Sequence, residues 1–261
     1  MKILSCLALL VLAFSLSAQT PEPVPLAHGT VPGEPHHHLK IENEYVRVYY
    51  VEVPPHDQTQ LHQHGHDYIF VSLGPADVVN AVPDEPEVHL VLKDGETHFT
   101  RGGFAHVARN LSDAPFRNVT IEFLHPQDDL RNLCKSVAQG DLGVCNRSDT
   151  GPGGYVEEPW FETKELRIDF LQLRRNARFV QRVPAGCLYV VLDESRMQDE
   201  TGKPAVGLRP GDVFWVPAAT ILHLRNIAPT ASRYLLLTFK STQQTRVEHS
   251  DQRLAHWRTQ N

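Results

Sequence analysis

The chain has 261 residues and a net charge of −6, from 25 basic and 31 acidic side chains. No basic stripe stands out against this acidic balance, so the charge pattern argues against nucleic acid as a partner. The chain also contains 15 histidines. A lone His-x-His pair therefore carries little weight unless other residues support it.

The first 18 residues have the pattern of a secretory signal peptide. Lys2 precedes an apolar run from Ile3 to Leu16, and small residues follow at Ser17 and Ala18. The run is too short for a stable membrane span. The sequence therefore predicts an exported protein, periplasmic or extracellular, that leaves the membrane after cleavage. A retained N-terminal anchor is the alternative.

Export changes the interpretation of the cysteines. Cys134 and Cys145 lie in one polar stretch, and an oxidising compartment would allow them to form a disulfide. Two unpaired surface thiols are the alternative. Cys187 lies in an apolar run and is predicted to be buried as a small hydrophobic residue.

The rest of the chain divides into a Pro-rich leader, two β-rich halves, a connector and a polar tail. The leader is expected to be an extended tether. His36, His37 and His38 at its end are interpreted as a surface loop, because three adjacent side chains cannot share one face; a metal site is the alternative. The predicted ranges are 1–18 for the signal, 19–40 for the leader, 41–125 for the first half, 126–164 for the connector, 165–242 for the second half and 243–261 for the tail.

Both halves show short runs rich in β-branched and aromatic residues, separated by Gly and Pro. This texture predicts an all-β sandwich or small barrel for each half, and the two halves look like copies of one architecture. A short helix is predicted only in the connector, at 128–139. The predicted strands with the clearest patterns are Tyr45–Val53, Val88–Leu92, Phe116–Phe123, Glu165–Leu173, Ala177–Val183 and Arg233–Phe239.

Three histidines of the first half form a candidate metal site. His62 and His64 are alternate residues of a predicted strand, so their side chains point to the same face. The interior of a small barrel suits such a pair, because it excludes water and fixes the rotamers. His106, at the start of the strand that follows two glycines, is the predicted third ligand.

The spacing of these residues resembles the two motifs of the cupins. The second motif, G-x5-P-x-G-x2-H-x3-N, is matched from Gly95 to Asn110, with Arg101 in the proline position. The first, G-x5-H-x-H, is matched from His56 to His64, with a histidine in the glycine position. The resemblance covers residues 41–125 strongly and 165–240 weakly. It implies an all-β, bicupin-like protein, with two jelly-roll barrels packed as a pair and joined by a partly helical connector.

The fourth ligand departs from the cupin pattern. Cupins commonly place a glutamate three or four residues after the second histidine, where this chain has Tyr68 and Ile69. We expect a three-histidine site completed by water or substrate. The alternatives are a bulge that turns Asp67 or His66 inward and a vestigial site. The resemblance implies one divalent transition metal, Fe, Zn, Mn, Ni or Cu, because neutral imidazoles do not choose among them.

Three neighbouring side chains have assignable roles. Arg101 is interpreted as a solvated edge residue, with guidance of an anionic substrate as the alternative. Tyr68 is either a core aromatic or a hydrogen-bond donor near the metal. Asn110 is predicted to be structural, bonding the backbone of a turn.

The second half keeps the frame of the second motif but not its ligands. Gly211, Pro217 and Asn226 stand in the expected positions, whereas Leu222 occupies the histidine position. His223 is one residue late and would face outward. Gln181-Arg182-Val183 stands where the first half has its histidine pair. A degenerate second barrel without a metal is therefore predicted.

Three functions are compatible with this pattern. The first is a mononuclear metal enzyme, dioxygenase- or isomerase-like, that acts on a small organic molecule. The second is a non-catalytic module that binds a metal or a small ligand, and the third is a structural protein with a stabilising metal. A small-molecule partner is expected, and a homodimer is compatible with the pattern. The sequence assigns no catalytic residue.

Overall fold

The computed structural model describes residues 29–150, 153–199 and 204–241. The predicted signal peptide, the first part of the leader and nearly all of the tail lie outside these residues, so export and cleavage stay predictions. Among the described residues, no helix is long and apolar enough to cross a membrane. Strands dominate this part of the chain, which contains a 3₁₀ turn at Val31–Gly33 and no α-helix.

The first half folds into a barrel of two five-stranded sheets. Its strands are β1 (Gly29–Thr30), β2 (His37–Glu42), β3 (Val46–Val53), β4 (His62–His64), β5 (Tyr68–Ser72), β6 (Ala76–Ala81), β7 (Val88–Leu92), β8 (Thr97–Thr100), β9 (Phe104–Asn110) and β10 (Phe116–Phe123). The strand order is β1-β4-β9-β6-β7 in one sheet and β2-β3-β10-β5-β8 in the other. Side chains alternate between the two faces of each strand. In β3, Val46 and Val48 therefore face the second barrel, whereas Tyr49 and Val51 face the interior of the first.

The second half repeats this plan. Its strands are β11 (Arg131–Asn132), β12 (Ser148–Thr150), β13 (Tyr155–Glu162), β14 (Leu166–Leu173), β15 (Arg178–Val183), β16 (Gly186–Val191), β17 (Ser195–Asp199), β18 (Val206–Leu208), β19 (Val213–Pro217), β20 (Thr220–Asn226) and β21 (Ser232–Phe239). One sheet has the order β11-β13-β14-β21-β16-β19, with β12 on β13, and the other has the order β15-β20-β17-β18. The all-β prediction is confirmed.

The two barrels share an apolar core between their facing sheets. Ile69 and Ile121 of the first barrel belong to the same buried cluster as Ile168, Leu188 and Leu237 of the second, and all five are fully buried. Such burial contributes about 1.5–3 kcal/mol for each large aliphatic side chain. The barrels are therefore held together by a core and not by a few surface contacts.

A buried asparagine in each barrel supports internal duplication. The Asn110 side-chain amide donates to the carbonyl oxygens of Val53, Pro54 and Ala114, at 3.2, 3.0 and 2.8 Å. Asn226 makes the same three bonds in the second barrel, to Leu173, Arg174 and Thr230. The structural role predicted for Asn110 is confirmed, and its copy has the same role.

The position of the missing motif glycine shows the same repetition. His56 adopts a φ of 58°, in the left-handed region that favours glycine. Asn176 adopts a φ of 62°, three residues after Leu173, just as His56 comes three residues after Val53. At the position where the first motif has glycine, each barrel therefore keeps a left-handed backbone conformation although the residue is not glycine.

The connector contains no α-helix, so the predicted partly helical connector is wrong. Residues 128–139, where the short helix was predicted, contain only the two-residue strand β11 and loops. Asn132 explains why: its side-chain oxygen accepts from the backbone N–H groups of Val137 and Ala138, and its amide donates to the carbonyl of Ala138. These bonds compete with the helical pattern.

Both cysteine predictions agree with the structure. Cys134 and Cys145 form a disulfide with a Cα–Cα distance of 4.6 Å. The loop that it closes lies along the edge of the first barrel, where the Phe99 N–H donates to the Val137 carbonyl at 2.7 Å. Cys187 is free, fully buried and packed in the core of the second barrel.

Candidate metal centre

His62 and His106 face each other on neighbouring strands. Strand β4 pairs antiparallel with β9, and His62 lies opposite His106 in this register. The two glycines before β9 make the pairing feasible. A side chain at Gly102 would place its Cβ 2.4 Å from the His66 backbone, and Gly103 has a φ of +96°. The Gly103 N–H then donates to the His64 carbonyl at 2.7 Å.

The three predicted ligands come together inside the first barrel. The ring centres of His62 and His106 are 4.6 Å apart, and that of His64 lies 5.2 Å from His62 and 5.3 Å from His106. All three side chains are buried, with at most 8% of each residue exposed. The alternation argument for His62 and His64 and the motif position of His106 therefore lead to one cluster.

His37 joins this cluster, which the sequence analysis missed. Its ring centre lies 4.7 Å from that of His62, and its side chain is only 4% exposed. One ring nitrogen from each of His37, His62 and His64 lies within 4.8 Å of the others. His106 lies outside this group of three and joins the cluster through its ring contacts with His62 and His64. The interpretation of His36 to His38 as a surface loop is therefore wrong for His37. The prediction assumed that a metal site would need all three histidines on one face. The middle histidine alone faces the interior of the barrel, so that assumption excluded His37 from the site.

The leader beyond residue 28 is not a free tether. Strand β1 pairs parallel with β4, with Gly29 opposite His62, and Val31 is buried in the apolar core of the first barrel. The carboxylate of Glu34 is fully buried. These contacts hold the segment before β2 against the strand that carries two of the histidines, so His37 has a fixed position.

Each of the four histidines is oriented by an acceptor at its Nδ1–H. Because Nδ1 is hydrogen-bonded in every ring, Nε2 is the nitrogen left to bind a metal. The Nε2 atoms of His62 and His106 are buried and have no hydrogen-bond partner. Two buried acceptors without a partner in one cluster are what a metal-binding site requires. The four acceptors are the Gln60 carbonyl for His62 (2.8 Å), Glu122 for His64 (3.1 Å), Asn80 for His106 and Glu34 for His37 (2.6 Å).

Burial keeps the imidazoles of His62, His64 and His106 neutral. Burial and the neighbouring His37 lower the pKa of His62 to about 4. Burial, with His62 and His37 close by, lowers the pKa of His64 to about 2. The pKa of His106 falls well below its usual value for the same reasons, burial first. Neutral imidazole is the form that binds a transition metal, so the set is ready to bind at neutral pH.

Glu34 is the carboxylate that organises the start of the barrel. Its two oxygens accept from His37 Nδ1, from the His36 N–H at 2.9 Å and from the Gln60 N–H at 3.1 Å. Burial alone would raise the pKa of Glu34, but the bonds from His37 and Gln60 outweigh it and lower the pKa to about 2. Since the Gln60 carbonyl in turn orients His62, this carboxylate sets the orientation of two histidines.

We therefore expect Glu34→Gln to weaken metal binding by about 10- to 100-fold. The amide retains one acceptor oxygen, and its N–H₂ group cannot accept from His37 Nδ1 or from a backbone N–H. Competition with a chromophoric chelator would measure the affinity for zinc. Glu42→Gln, an exposed carboxylate on the same strand as His37 that pairs with Arg47, is the matched control. Equal zinc affinity in the two variants would contradict this role for Glu34.

The residues next to the cluster have other roles. Asp67, one of the predicted alternatives for the fourth ligand, accepts from Arg101 at 2.6 Å and from the Gly102 N–H at 3.1 Å. His66, the other alternative, belongs neither to the group of His37, His62 and His64 nor to the ring contacts that join His106 to it. The Tyr68 ring stacks on the His64 imidazole, with ring centres 4.0 Å apart. Tyr68 is thus a buried aromatic that holds a histidine ring in place.

The second barrel has lost this site, as predicted. Gln181 lies opposite Leu222, in the register that places His62 opposite His106 in the first barrel. Gln181 accepts a hydrogen bond from the Tyr189 hydroxyl and donates one to Thr238 at 3.0 Å. Leu222 packs against the apolar core. In the second barrel, Gln181 and Leu222 therefore occupy the positions that His62 and His106 occupy in the first.

A cavity of about 1000 Å³ opens onto the cluster. All four histidines line it, so each faces open space on at least one side. Most of the remaining wall is apolar, and this part includes Val51, Phe70, Val78, Leu90, Leu92 and Phe116. Cavities of this size and character are typical of sites for small organic ligands.

Several solved structures have a similar fold. A mutant of salicylate 1,2-dioxygenase from Pseudoaminobacter salicylatoxidans, in complex with gentisate, has a TM-score of 0.57 at 12% identity over 82% of this chain and 76% of its own. AerE from Microcystis aeruginosa has a TM-score of 0.55 at 10% identity over 80% of this chain and 99% of its own. A cupin 2 conserved barrel domain protein from Leptotrichia buccalis has a TM-score of 0.46 at 10% identity, over 78% and 88%.

The salicylate 1,2-dioxygenase and AerE likenesses show the fold alone: this chain has an all-β, two-barrel fold similar to that of those structures. The all-β, two-barrel architecture that the motif resemblance implies agrees with this fold. Comparison of the sequence with protein-family models and with curated proteins finds no match.

Proposed function

We propose that the first barrel binds one divalent transition metal through His62, His64, His106 and His37, beside a cavity for a small organic molecule. The observation that carries this proposal is the pair of buried, unpartnered Nε2 atoms on His62 and His106. Leaving such atoms unsatisfied costs about 1–3 kcal/mol each. A bound metal removes this cost and explains why every Nδ1 has its own acceptor.

The cavity favours a function in small-molecule chemistry over a purely stabilising metal. A closed four-ligand site with no access would suit a structural role. Here all four imidazoles line open space, so a ligand can reach an ion that they hold. When bound, such an ion would supply Lewis acidity, and a redox-active metal would also supply a partner for dioxygen. We therefore propose a mononuclear metal-dependent enzyme, with a non-catalytic metal or ligand carrier as the second candidate.

The chain's own residues would prepare the reaction. Tyr68 and the four Nδ1 acceptors fix the imidazoles, and the apolar wall excludes water from a bound molecule. Tyr49 belongs to the buried core of the same barrel and carries a polar group. The Tyr49 hydroxyl is buried without a partner, beside His37 at a ring-centre distance of 5.9 Å. The pKa of Tyr49 is raised to about 12 by burial and by Glu122, so it would stay protonated and can donate a hydrogen bond.

Export is part of this proposal. The N-terminal apolar run supports it, and so does the disulfide between Cys134 and Cys145, because disulfides persist in oxidising compartments. An exported enzyme acquires its metal and its substrate outside the cytoplasm.

The test is metal stoichiometry followed by turnover. Protein expressed without residues 1–18 would be loaded with Fe, Zn, Mn, Ni and Cu in turn, and the bound metal would be measured by elemental analysis. We expect one equivalent of at least one metal. The loaded protein would then be assayed for oxygen consumption and product formation with neutral and acidic aromatic compounds. No stoichiometric metal with any of the five would overturn the proposal, and metal without turnover would favour the carrier.

A further inference from the structure

The charge of the cavity wall indicates which molecules it takes. Among the described residues that line the cavity, the only lysine or arginine is Arg101. Its guanidinium donates to Asp67 at 2.6 Å and to the Gln127 carbonyl at 2.8 Å. Arg101 therefore already has its counter-charge. The alternative in which Arg101 guides an anionic substrate therefore has no unpaired positive charge to support it.

Apart from its histidines, the other polar groups of the wall are neutral or negative, and the His98 ring is hydrogen-bonded to the Glu96 carboxylate at 2.9 Å. Thr100, Asn118 and Thr120 line the cavity with hydroxyl and amide groups, and Glu85 adds a carboxylate. The Thr120 hydroxyl donates to the Asn118 side-chain oxygen at 2.8 Å. The Asn118 amide nitrogen is then left as a donor for an uncharged acceptor, such as a hydroxyl or a carbonyl oxygen.

We infer that the cavity binds a neutral, mainly apolar molecule with one or two uncharged polar groups, and selects against carboxylates. For the metal-loaded protein this inference rests on the proposed function. The apolar and polar residues that line the cavity are the same with or without a metal. A carboxylate that does not reach an ion at the four histidines would lose its hydration and meet Arg101 and His98 only in their pairs with Asp67 and Glu96, which is costly for a buried charge. A phenol or neutral enol would bury its ring against the apolar wall and keep its hydrogen bonds.

Matched ligands can test this selectivity. Catechol and 3,4-dihydroxybenzoate carry the same metal-binding diol and differ by one carboxylate. In zinc-loaded protein, calorimetry should show at least ten-fold tighter binding of catechol. The second pair, 2-naphthol and 2-naphthoate, would be titrated into protein without added metal. We again expect the neutral compound, 2-naphthol, to bind more tightly than the carboxylate. This arm keeps the test valid if zinc fails to bind, which would count against the proposed function alone.

A variant that frees the cation gives the internal control. Asp67→Asn releases Arg101 from its carboxylate and keeps an oxygen for the Gly102 N–H. We expect it to narrow the preference for the neutral ligand at least three-fold in both pairs. Asp113→Asn removes an exposed carboxylate that pairs with His56, away from the lining, and should leave the preference unchanged. Equal or tighter binding of the carboxylate by the wild-type protein, in either pair, would overturn the inference.

Discussion

Replacing His62 and His64 together with alanine is expected to abolish stoichiometric metal binding, with a loss of affinity of more than about 1000-fold. The double variant removes two of four nitrogen ligands, and the remaining pair, His37 and His106, cannot enclose an ion. Because a ligand that binds only the folded state stabilises it by about 2.7 kcal/mol at 100 times its dissociation constant, the thermal shift on adding metal should disappear as well. Both quantities can be followed in one titration series with zinc.

Single variants separate the contributions of the individual histidines to metal binding. His37→Ala should weaken zinc binding and leave a three-histidine site of the kind that the cupin resemblance implies. His38→Ala changes the next residue on the same strand, which does not belong to the cluster, and serves as the matched control. If His37→Ala binds zinc as tightly as His38→Ala, then His37 is a neighbour of the site and not a ligand. If the double variant still binds one equivalent tightly, the site lies elsewhere.

Asn110→Ala should destabilise the protein by about 3 kcal/mol, and Asn226→Ala should do the same. Each amide donates to three carbonyl oxygens from two separate loops, and its own oxygen accepts from a backbone N–H, of Ser112 or Ala228. Both side chains are fully buried, so the alanine variants leave these groups without partners and without water. Urea unfolding followed by circular dichroism would measure the change.

The isosteric change Asn110→Asp identifies the cause of this loss. Aspartate keeps the shape and the acceptor oxygen but cannot donate to Val53, Pro54 and Ala114. It should therefore destabilise at least as much as alanine, although it leaves no void. An Asn110→Asp variant as stable as the wild type would show that packing, and not hydrogen bonding, explains the asparagine.

The strands and the paired architecture could be predicted from local patterns. The strands Val88–Leu92 and Phe116–Phe123 were predicted to the residue, because alternation and turn residues mark both ends. Strands β6 and β13 were not predicted, although Gly74-Pro75 and Gly153-Gly154 precede them, because neither run has a clear alternation of apolar and polar residues. The helix in the connector was predicted from composition, which does not reveal that Asn132 bonds the loop backbone.

The sequence predicted those residues of the candidate site that belong to the two motifs. His62, His64 and His106 follow from strand alternation and spacing. His37 precedes the predicted range of the first half, 41–125, and its place depends on β1 pairing with β4 and on the buried carboxylate of Glu34. Neither contact leaves a periodic signal. The sequence offered one clue, a glutamate three residues before the histidine, which becomes meaningful only once the two are known to be buried together.

The core between the barrels has a thermodynamic consequence. Unfolding either barrel alone would expose the face of the other, including Ile121 and Leu237, to water. The two should therefore unfold cooperatively, as one unit. A ligand bound at the histidines then raises the free energy of unfolding of the second barrel too. The second barrel has lost its own ligands, yet through the shared core it would be stabilised by any ion bound in its neighbour.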